Sequence, residues 1–422
     1  MFVTSDDNAF RIMSMTLYNL VSILMIVILF ISTCYPGKIF YQARQLKRLN
    51  YLLLWIVVSL LISWSFPNKA INPEVFNYEW TTGVNSPAIR GISFVIRFAL
   101  GISVINFIVN SINNSKKYAI VMKYFFAIYG LFVLFPLIQI VLLKCNIVIG
   151  QVFNDDAQYS RIGSYVGEPS VLAGMLCCGI FPLVAAIKIP NKIVLVNKKY
   201  LIAILVIATL DLMFTYSLSV IIAIIITFIL SMRKLFNKSI LLIFILTLIA
   251  LSIFNTDFQQ AITLKFVREL TTINIRSLSW LIGFNAITNN MLTGVGIGQA
   301  PFFIQTYLLP VSDIPFDVHK YIDFASMRFT PMNTYIEFVM ETGITGILIL
   351  LCCIRYIYKW QKNKNRTKEE RFIQFAFGAG LFAILIAMNS FPGGFYLGYF
   401  TFMIGMYIAG LKIYSNQKPQ YY

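Results

Sequence analysis

Acidic side chains are scarce: 17 Asp and Glu stand against 34 Lys and Arg, and the charged types together make up only 12% of the 422 residues. A solvent-covered soluble domain carries roughly a quarter charged residues, so that class is excluded. Histidine is scarcer still, with His319 alone, which rules out a histidine-built metal site. The six cysteines are Cys34, Cys145, the neighbours Cys177-Cys178 and the neighbours Cys352-Cys353. With no CxxC spacing and no Cys/His cluster, they imply neither a disulfide framework nor bound metal, and read as small apolar residues. A cleavable signal peptide is not expected, because Asp6 and Asp7 stand where a basic leader would and the first apolar run is long enough to span. Heptads, low-complexity tracts and repeats of about 20–50 residues are all missing, which excludes coiled-coil and solenoid architectures.

What is present is apolar surface: 58% of residues are hydrophobic and the mean hydropathy is +0.76. It is arranged in repeated runs of about 16–22 residues, the length that crosses a bilayer as a helix. The runs are too long and continuous for the alternating strands of a barrel. Backbone groups in hydrocarbon must bond to one another, so an all-α polytopic membrane protein is expected. The formal net charge of +17 then belongs to the cytoplasmic loops rather than to nucleic acid, which is not expected as a partner.

Charge places the runs. Run one (Ser14–Tyr35) is followed by Lys38, Arg44, Lys47 and Arg48; run two (Leu49–Phe66) leads to Glu74 and Glu79; run three (Ala88–Val109) returns to Lys116, Lys117 and Lys123. Run four (Val121–Leu143) exits to Asp155 and Asp156, and run five (Glu168–Ile187) comes back to Lys188, Lys192, Lys198 and Lys199. Tyr200–Met232 is too long for one span and is interrupted at Asp211 and Thr215-Tyr216-Ser217, so it reads as two short spans with an outer turn. Run eight (Ser239–Phe254) delivers the chain to an outer stretch, and run nine (Thr334–Ile357) re-enters to the basic loop Lys359–Arg371. Runs ten (Phe372–Met388) and eleven (Phe395–Ile413) form a hairpin around Asn389–Gly394. The alternation gives about eleven spans, within a range of ten to thirteen, with the N-terminus outside. Of the acids, only Glu369 and Glu370 fall on the cytoplasmic side.

The whole chain, 1–422, is one membrane domain, and residues 255–333 form one long outer loop. Loops of that length inside a compact domain are usually functional. It holds Arg268, Arg276, the triplet Gly294, Gly296 and Gly298, His319 and Arg328, and runs into Asn333-Thr334-Tyr335. Ile262–Leu270 and Arg276–Ile287 have the apolar spacing of short helices lying along the membrane face. The glycine triplet follows no strand, so a dinucleotide fold is excluded and a turn is the plainer reading. Arg161 precedes Gly163, Gly167, Glu168, Pro169 and Ser170 at the entry to run five. Proline suits the first turn of a helix, and an arginine beside a helix start suits phosphate. Snorkelling to lipid head groups accounts for the same arginine equally well. Arg90 and Arg97 share one face of run three, and Asp211 near the outer turn is either functional or hydrogen-bonded locally.

Taken in order, Arg161 to Ser170, Thr215-Tyr216-Ser217, Arg276 ahead of Gly294-Val295-Gly296-Ile297-Gly298, and Asn333-Thr334-Tyr335-Ile336-Glu337 running to Glu341-Thr342-Gly343-Ile344-Thr345-Gly346 resemble the Wzy-type O-antigen and capsule repeat-unit polymerases, relatives of the O-antigen ligases. The motifs cover Arg161 to Gly346; elsewhere the similarity is one of hydropathy alone. The resemblance implies a GT-C-like glycosyltransferase of the bacterial inner membrane, with its active site facing the periplasm. It implies undecaprenyl-diphosphate-linked oligosaccharide as substrate, no cofactor and no nucleotide sugar, and a chain-length regulator and a flippase as partners besides membrane lipid. Arg161 and Arg276 map onto the family's outer arginines, which would hold the departing diphosphate. Glu168 is the candidate base for the acceptor hydroxyl, and Arg90, Arg97, Arg268, His319, Arg328, Asn333 and Tyr335 are candidate substrate-binding residues. Many relatives carry histidine immediately before the asparagine, where this chain has Met332; that weakens a ligase reading. A transporter is the reading from another class, and the absence of matching halves with broken helices argues against it.

Overall fold

The computed structural model describes residues 44–65, 87–145, 147, 149, 151–155, 159–164, 169–189, 193–232, 277, 280–281, 283–300, 333–359, 367–390 and 398–415. Helices dominate. In chain order they are α1 (Arg44–Ser65), α2 (Pro87–Ser111), α3 (Ser115–Lys144), α4 (Pro169–Lys188), α5 (Lys198–Phe214), α6 (Leu218–Met232), α7 (Thr334–Lys359), α8 (Lys368–Ile373), α9 (Gly380–Ala387) and α10 (Gly398–Ser415). A π-helical turn, Gln374–Ala379, joins α8 to α9, so Lys368–Ala387 runs as one span.

Five helical stretches among the described residues are long and apolar enough to cross a membrane: Gly91–Ser111, Ser115–Leu143, Pro169–Lys188, Thr334–Cys352 and Lys368–Ala387. Leu49–Ser65 and Leu218–Ser231 are shorter apolar helices. Runs two to seven and nine to eleven thus each coincide with a helix, while runs one and eight lie outside the described residues. The division of Tyr200–Met232 falls where polar residues interrupt the sequence. Thr215 caps the end of α5, its Oγ1 donating to the Leu212 carbonyl at 2.7 Å. Tyr216 then turns the chain at φ 48, a left-handed conformation uncommon for a residue with a side chain.

The all-α expectation needs one amendment. Gln151–Asp155 (β1) and Tyr159–Ser164 (β2) pair antiparallel, with Phe153 opposite Arg161 and a register shift between Gln151 and Val152. The segment is rich in Val, Phe, Tyr and Ile, which favour strands, and its mixture with Asn, Asp and Ser hides the pattern. The hairpin packs on α3 and α4, with Ile162 fully buried.

α4 is the hub, packed against α3, α5, α6, α9, α10 and the π-helical turn. Its buried side includes the small residues Ala173, Gly174, Cys177, Cys178 and Gly179, which let helices approach closely where no hydrophobic effect drives them together. At Gly179 an added methyl would run into the ring of Tyr129, whose hydroxyl donates to the Leu176 carbonyl at 2.6 Å. The rings of Phe181, Phe228 and Phe375 tie α4, α6 and the π-helical turn together, the first two stacked at 4.8 Å. α10 lies on α2, and α1 lies between α2 and α7. At the basic end Thr367 and Glu370 form a capping box for α8. Glu369 and Glu370 are therefore first-turn helix residues, where negative charge meets the free N–H groups, rather than loop acids.

Orientation is testable through Cys145, which is exposed at the end of α3 while Cys177 and Cys178 are buried. In spheroplasts a membrane-impermeant maleimide should label wild-type protein at Cys145 and lose that labelling in Cys145→Ser. Labelling of Cys145 only after permeabilisation would invert the assigned topology.

Candidate functional site

The site is organised by a break in a helix. α7 contains Gly343 at φ 70 and ψ −176, a conformation open essentially to glycine alone. The break interrupts the backbone ladder inside a candidate span, and hydrocarbon offers no water to the groups it frees. They are satisfied by the glycine segment instead. Val295 N donates to Met340 O and Gly296 N to Glu341 O, both at 2.9 Å, and Ile344 N donates to Met291 O at 2.8 Å. Gly294 (φ 69), Gly296 (φ 96) and Gly298 (φ 73) are all left-handed, so the triplet is more than a surface turn: residues 294–300 are buried. A methyl on Gly294 would lie 2.6 Å from the Glu341 oxygen and from the Gly343 nitrogen, hence the requirement for glycine on both sides of the contact.

α1 completes the clasp. Trp55, Ser59 and Ser63 recur every four residues and so form one stripe. Trp55 Nε1 donates to Thr342 O at 2.9 Å, Ser59 Oγ bridges Thr293 O at 2.6 Å and Glu341 O at 3.0 Å, and Ser63 Oγ donates to Val295 O at 2.5 Å. α1, α7 and the glycine segment thereby share one buried polar junction.

Glu341 belongs to it, and Glu337, one turn earlier on α7, is buried as well. Glu341 Oε1 accepts from the Ala300 N–H at 3.4 Å, so this side chain ties the end of the glycine segment to α7. Above them Asn333 caps α7: its Oδ1 accepts from Tyr335 N at 2.9 Å and Ile336 N at 3.2 Å. Its amide also reaches Asn389 Oδ1 at 3.4 Å, and the Tyr335 hydroxyl donates to Leu385 O at 2.6 Å. The candidate binding residues Asn333 and Tyr335 thus join the start of α7 to the end of α9 and the turn that follows it.

The remaining sequence candidates are placed less fully. Arg161 sits in β2, opposite Phe153. Arg90 lies in the first turn of α2, and Arg97 is exposed further along it, its guanidinium 5.5 Å from the Phe94 ring centre. Glu168, Arg268, Arg276, His319 and Arg328 lie outside the described residues; of these Glu168 directly precedes α4 and Arg276 directly precedes the helical residue Ser277. Residues 283–289 are helical, in line with the amphipathic reading of Arg276–Ile287. Asp211 is fully buried with neither carboxylate oxygen bonded among the described residues, so the local hydrogen-bond reading of that acid does not hold. No group of three or more metal-ligating side chains occurs among the described residues. Sequence reading missed Trp55, Ser59, Ser63 and the role of Glu341; the four-residue spacing of the first three was the available signal.

A many-helix membrane protein with a broken helix and a buried polar junction towards one face is the class that fold and site define. Within it, residues 203–351, about a third of the chain, match the O-antigen ligase family model. The recognised segment is consistent with the superfamily of O-antigen ligases and Wzy-type polymerases. No curated protein matches the chain. The matched segment spans α5, α6, the glycine segment and most of α7, and so contains the break but not its α1 donors.

Gly343→Ala and Gly294→Ala should each lower stability by about 3 kcal/mol or more, from backbone strain plus a clash against main chain. Ser59→Ala should cost only about 1 kcal/mol, since Glu341 O keeps its bond from Gly296. Thermal unfolding in detergent reads the order; a Gly343→Ala protein as stable as wild type would contradict the break. Asn333→Ala should cost about 1 kcal/mol through the lost cap, and Asn333→Asp, which still accepts from the same N–H groups, should restore most of it in the same assay.

Proposed function

We propose that this chain is a GT-C-like glycosyltransferase that joins undecaprenyl-diphosphate-linked oligosaccharide repeat units at the periplasmic face of a bacterial inner membrane. The observation that carries the reading is the O-antigen ligase family match over 203–351, which falls on the broken helix and its glycine segment. Supporting it, β2 and α9 each pack on α4, and α7 packs on the turn Met388–Ser390 that follows α9; in sequence Arg161 falls in β2, Glu168 directly before α4 and Asn333 directly before α7.

In this reading an acceptor hydroxyl attacks the anomeric carbon of the donor sugar. The carbon–oxygen bond to the diphosphate breaks as the glycosidic bond forms. Arg161 and Arg276 hold the departing diphosphate, stabilising charge that grows in the transition state. Glu168 takes the hydroxyl proton and releases it to solvent. Arg90, Arg97, Arg268, His319, Arg328, Asn333 and Tyr335 are the proposed substrate-binding set. Asn333 and Tyr335 also fix the end of α7, through the cap and the bond to Leu385. The about eleven spans and the outer loop 255–333 belong to the same proposal, as do a chain-length regulator and a flippase as partners. The family's description, O-antigen ligase, favours a second reading in which finished glycan passes to lipid A core; Met332, where the resemblance places histidine, favours the polymerase.

Arg161→Ala and Arg276→Ala should each reduce glycan transfer from a lipid-diphosphate donor by about 100-fold or more, with normal membrane insertion, while Lys364→Ala on the cytoplasmic side leaves it unchanged. The assay is product formation by reconstituted protein. Full activity in either arginine variant would overturn the assignment, and lost insertion would make that arginine a folding residue.

A further inference from the structure

From Ser277 to Ala300 the chain carries no aspartate, glutamate, lysine, arginine or histidine, a gap that suits hydrocarbon better than a loop bathed in water. The contacts of residues 291–299 order them by depth against three helices. Met291 O accepts from Ile344 N, which lies about 15 Å along the candidate span that starts at Thr334. In a hydrocarbon core roughly 30 Å thick that is about halfway across. Thr293 O accepts from Ser59 Oγ, and Val295 O from Ser63 Oγ one turn further along α1 and close to its end at Ser65. Gln299 lies against Gly91, where an added methyl would come 3.0 Å from its amide nitrogen and where the candidate span of α2 begins. Residues 291–299 thus climb from mid-span to the ends of α1 and α2, and the helical residues 283–289 immediately precede the deepest point.

The side chains fit a hydrocarbon setting. Phe284 is 54% and Leu292 71% exposed, with Leu281 and Met291 also turned outward, whereas Gly283 and Ala286 are buried. The polar side chains are turned onto their own backbone: Thr288 Oγ1 and Asn289 Nδ2 donate to Asn285 O at 2.8 and 2.9 Å, and Asn290 Nδ2 to Ala286 O at 3.2 Å. That is how polar groups in a membrane helix are satisfied without water. The exposed face is continuous with that of α7, where Leu348 and Leu351 are exposed one and two turns beyond Ile344. We infer that residues 283–300 form a re-entrant element rather than part of a water-exposed loop. Its helix enters the bilayer beside α7, turns at Asn290–Thr293 and returns through the glycine triplet along α1. Phe284, Met291 and Leu292 contact lipid acyl chains, while the irregular backbone is shielded by α1 and α7, the condition for such backbone at membrane depth. The inference does not rest on the transferase reading.

The test places a nitroxide at Leu281→Cys, Phe284→Cys or Leu292→Cys in the full-length protein in phosphatidylcholine liposomes. Cys34, Cys145, Cys352 and Cys353 are replaced by serine, and the buried Cys177 and Cys178 are kept. All three labelled positions are exposed, so their replacement leaves the packing intact. Power saturation reads collisions with oxygen, which gathers in hydrocarbon, and with a nickel chelate, which stays in water. Leu348→Cys gives the value for the exposed face of α7, and Cys145 retained alone gives that for the end of α3. The oxygen-to-nickel ratio at Leu292 should match that at Leu348 and exceed that at Cys145 by about tenfold or more, because hydrocarbon excludes a hydrated polar chelate. It should rise from Leu281 through Phe284 to Leu292. Nickel access at Leu292 equal to that at Cys145 overturns the re-entrant element in favour of a water-exposed loop. A ratio equal at all three positions overturns it too, in favour of a helix lying along the membrane face.

Discussion

A helix broken inside hydrocarbon leaves backbone groups that must find partners within the protein, and the arrangement around Gly343 follows from that one requirement. The freed carbonyls of Met340, Glu341 and Thr342 are met by Val295 N, Gly296 N, Ser59 Oγ and Trp55 Nε1. The freed Ile344 N–H is met by Met291 O. These contacts draw the glycine segment inward from the outer loop and bring α1 against α7. They also set the height of Glu341, whose carboxylate then receives the Ala300 N–H. Irregular backbone is tolerated at membrane depth where it is buried or lines a cavity. Buried polar junctions of this kind are where a membrane enzyme can hold a polar substrate against a rigid support.

The relation between the recognised family segment and the fold is instructive. The match over 203–351 contains both partners of the backbone clasp, the glycine segment and the broken helix. The three α1 side chains that finish it lie more than a hundred residues before the match begins. The stretch before Arg161, where only hydropathy linked the chain to the family, is thus bonded through α1 directly into the junction that the matched segment contains.

Much of the helical frame was legible because bilayer physics writes it plainly. Long apolar runs between basic and acidic loops marked α1 to α7, the α8–α9 span and α10. The polar triplet Thr215-Tyr216-Ser217 marked the break between α5 and α6. The β-hairpin was not legible, since Arg161, Ser160 and Asn154 interrupt the apolar alternation that signals a strand. Nor was the π-helical turn, which has no sequence signature of its own. Run nine led to Asn333 and Tyr335 standing at the start of α7, yet their bonds to the backbone of α7 and to Leu385 depend on packing. The glycine triplet read as a turn because nothing local shows that its N–H groups face a broken helix forty-odd residues away. Ser59 and Ser63 passed unnoticed because an isolated serine in an apolar helix ordinarily bonds back to its own ladder.

The central claim is that this architecture extends glycan on a lipid diphosphate. The measurement that addresses it most directly is product size from wild-type protein in proteoliposomes supplied with an undecaprenyl-diphosphate-linked repeat unit, with and without lipid A core as acceptor. The account predicts a ladder of products spaced by one repeat unit, formed without lipid A core. Glycan found solely on lipid A core would make the chain a ligase, and no glycan transfer with either acceptor, across several repeat units, would contradict the account.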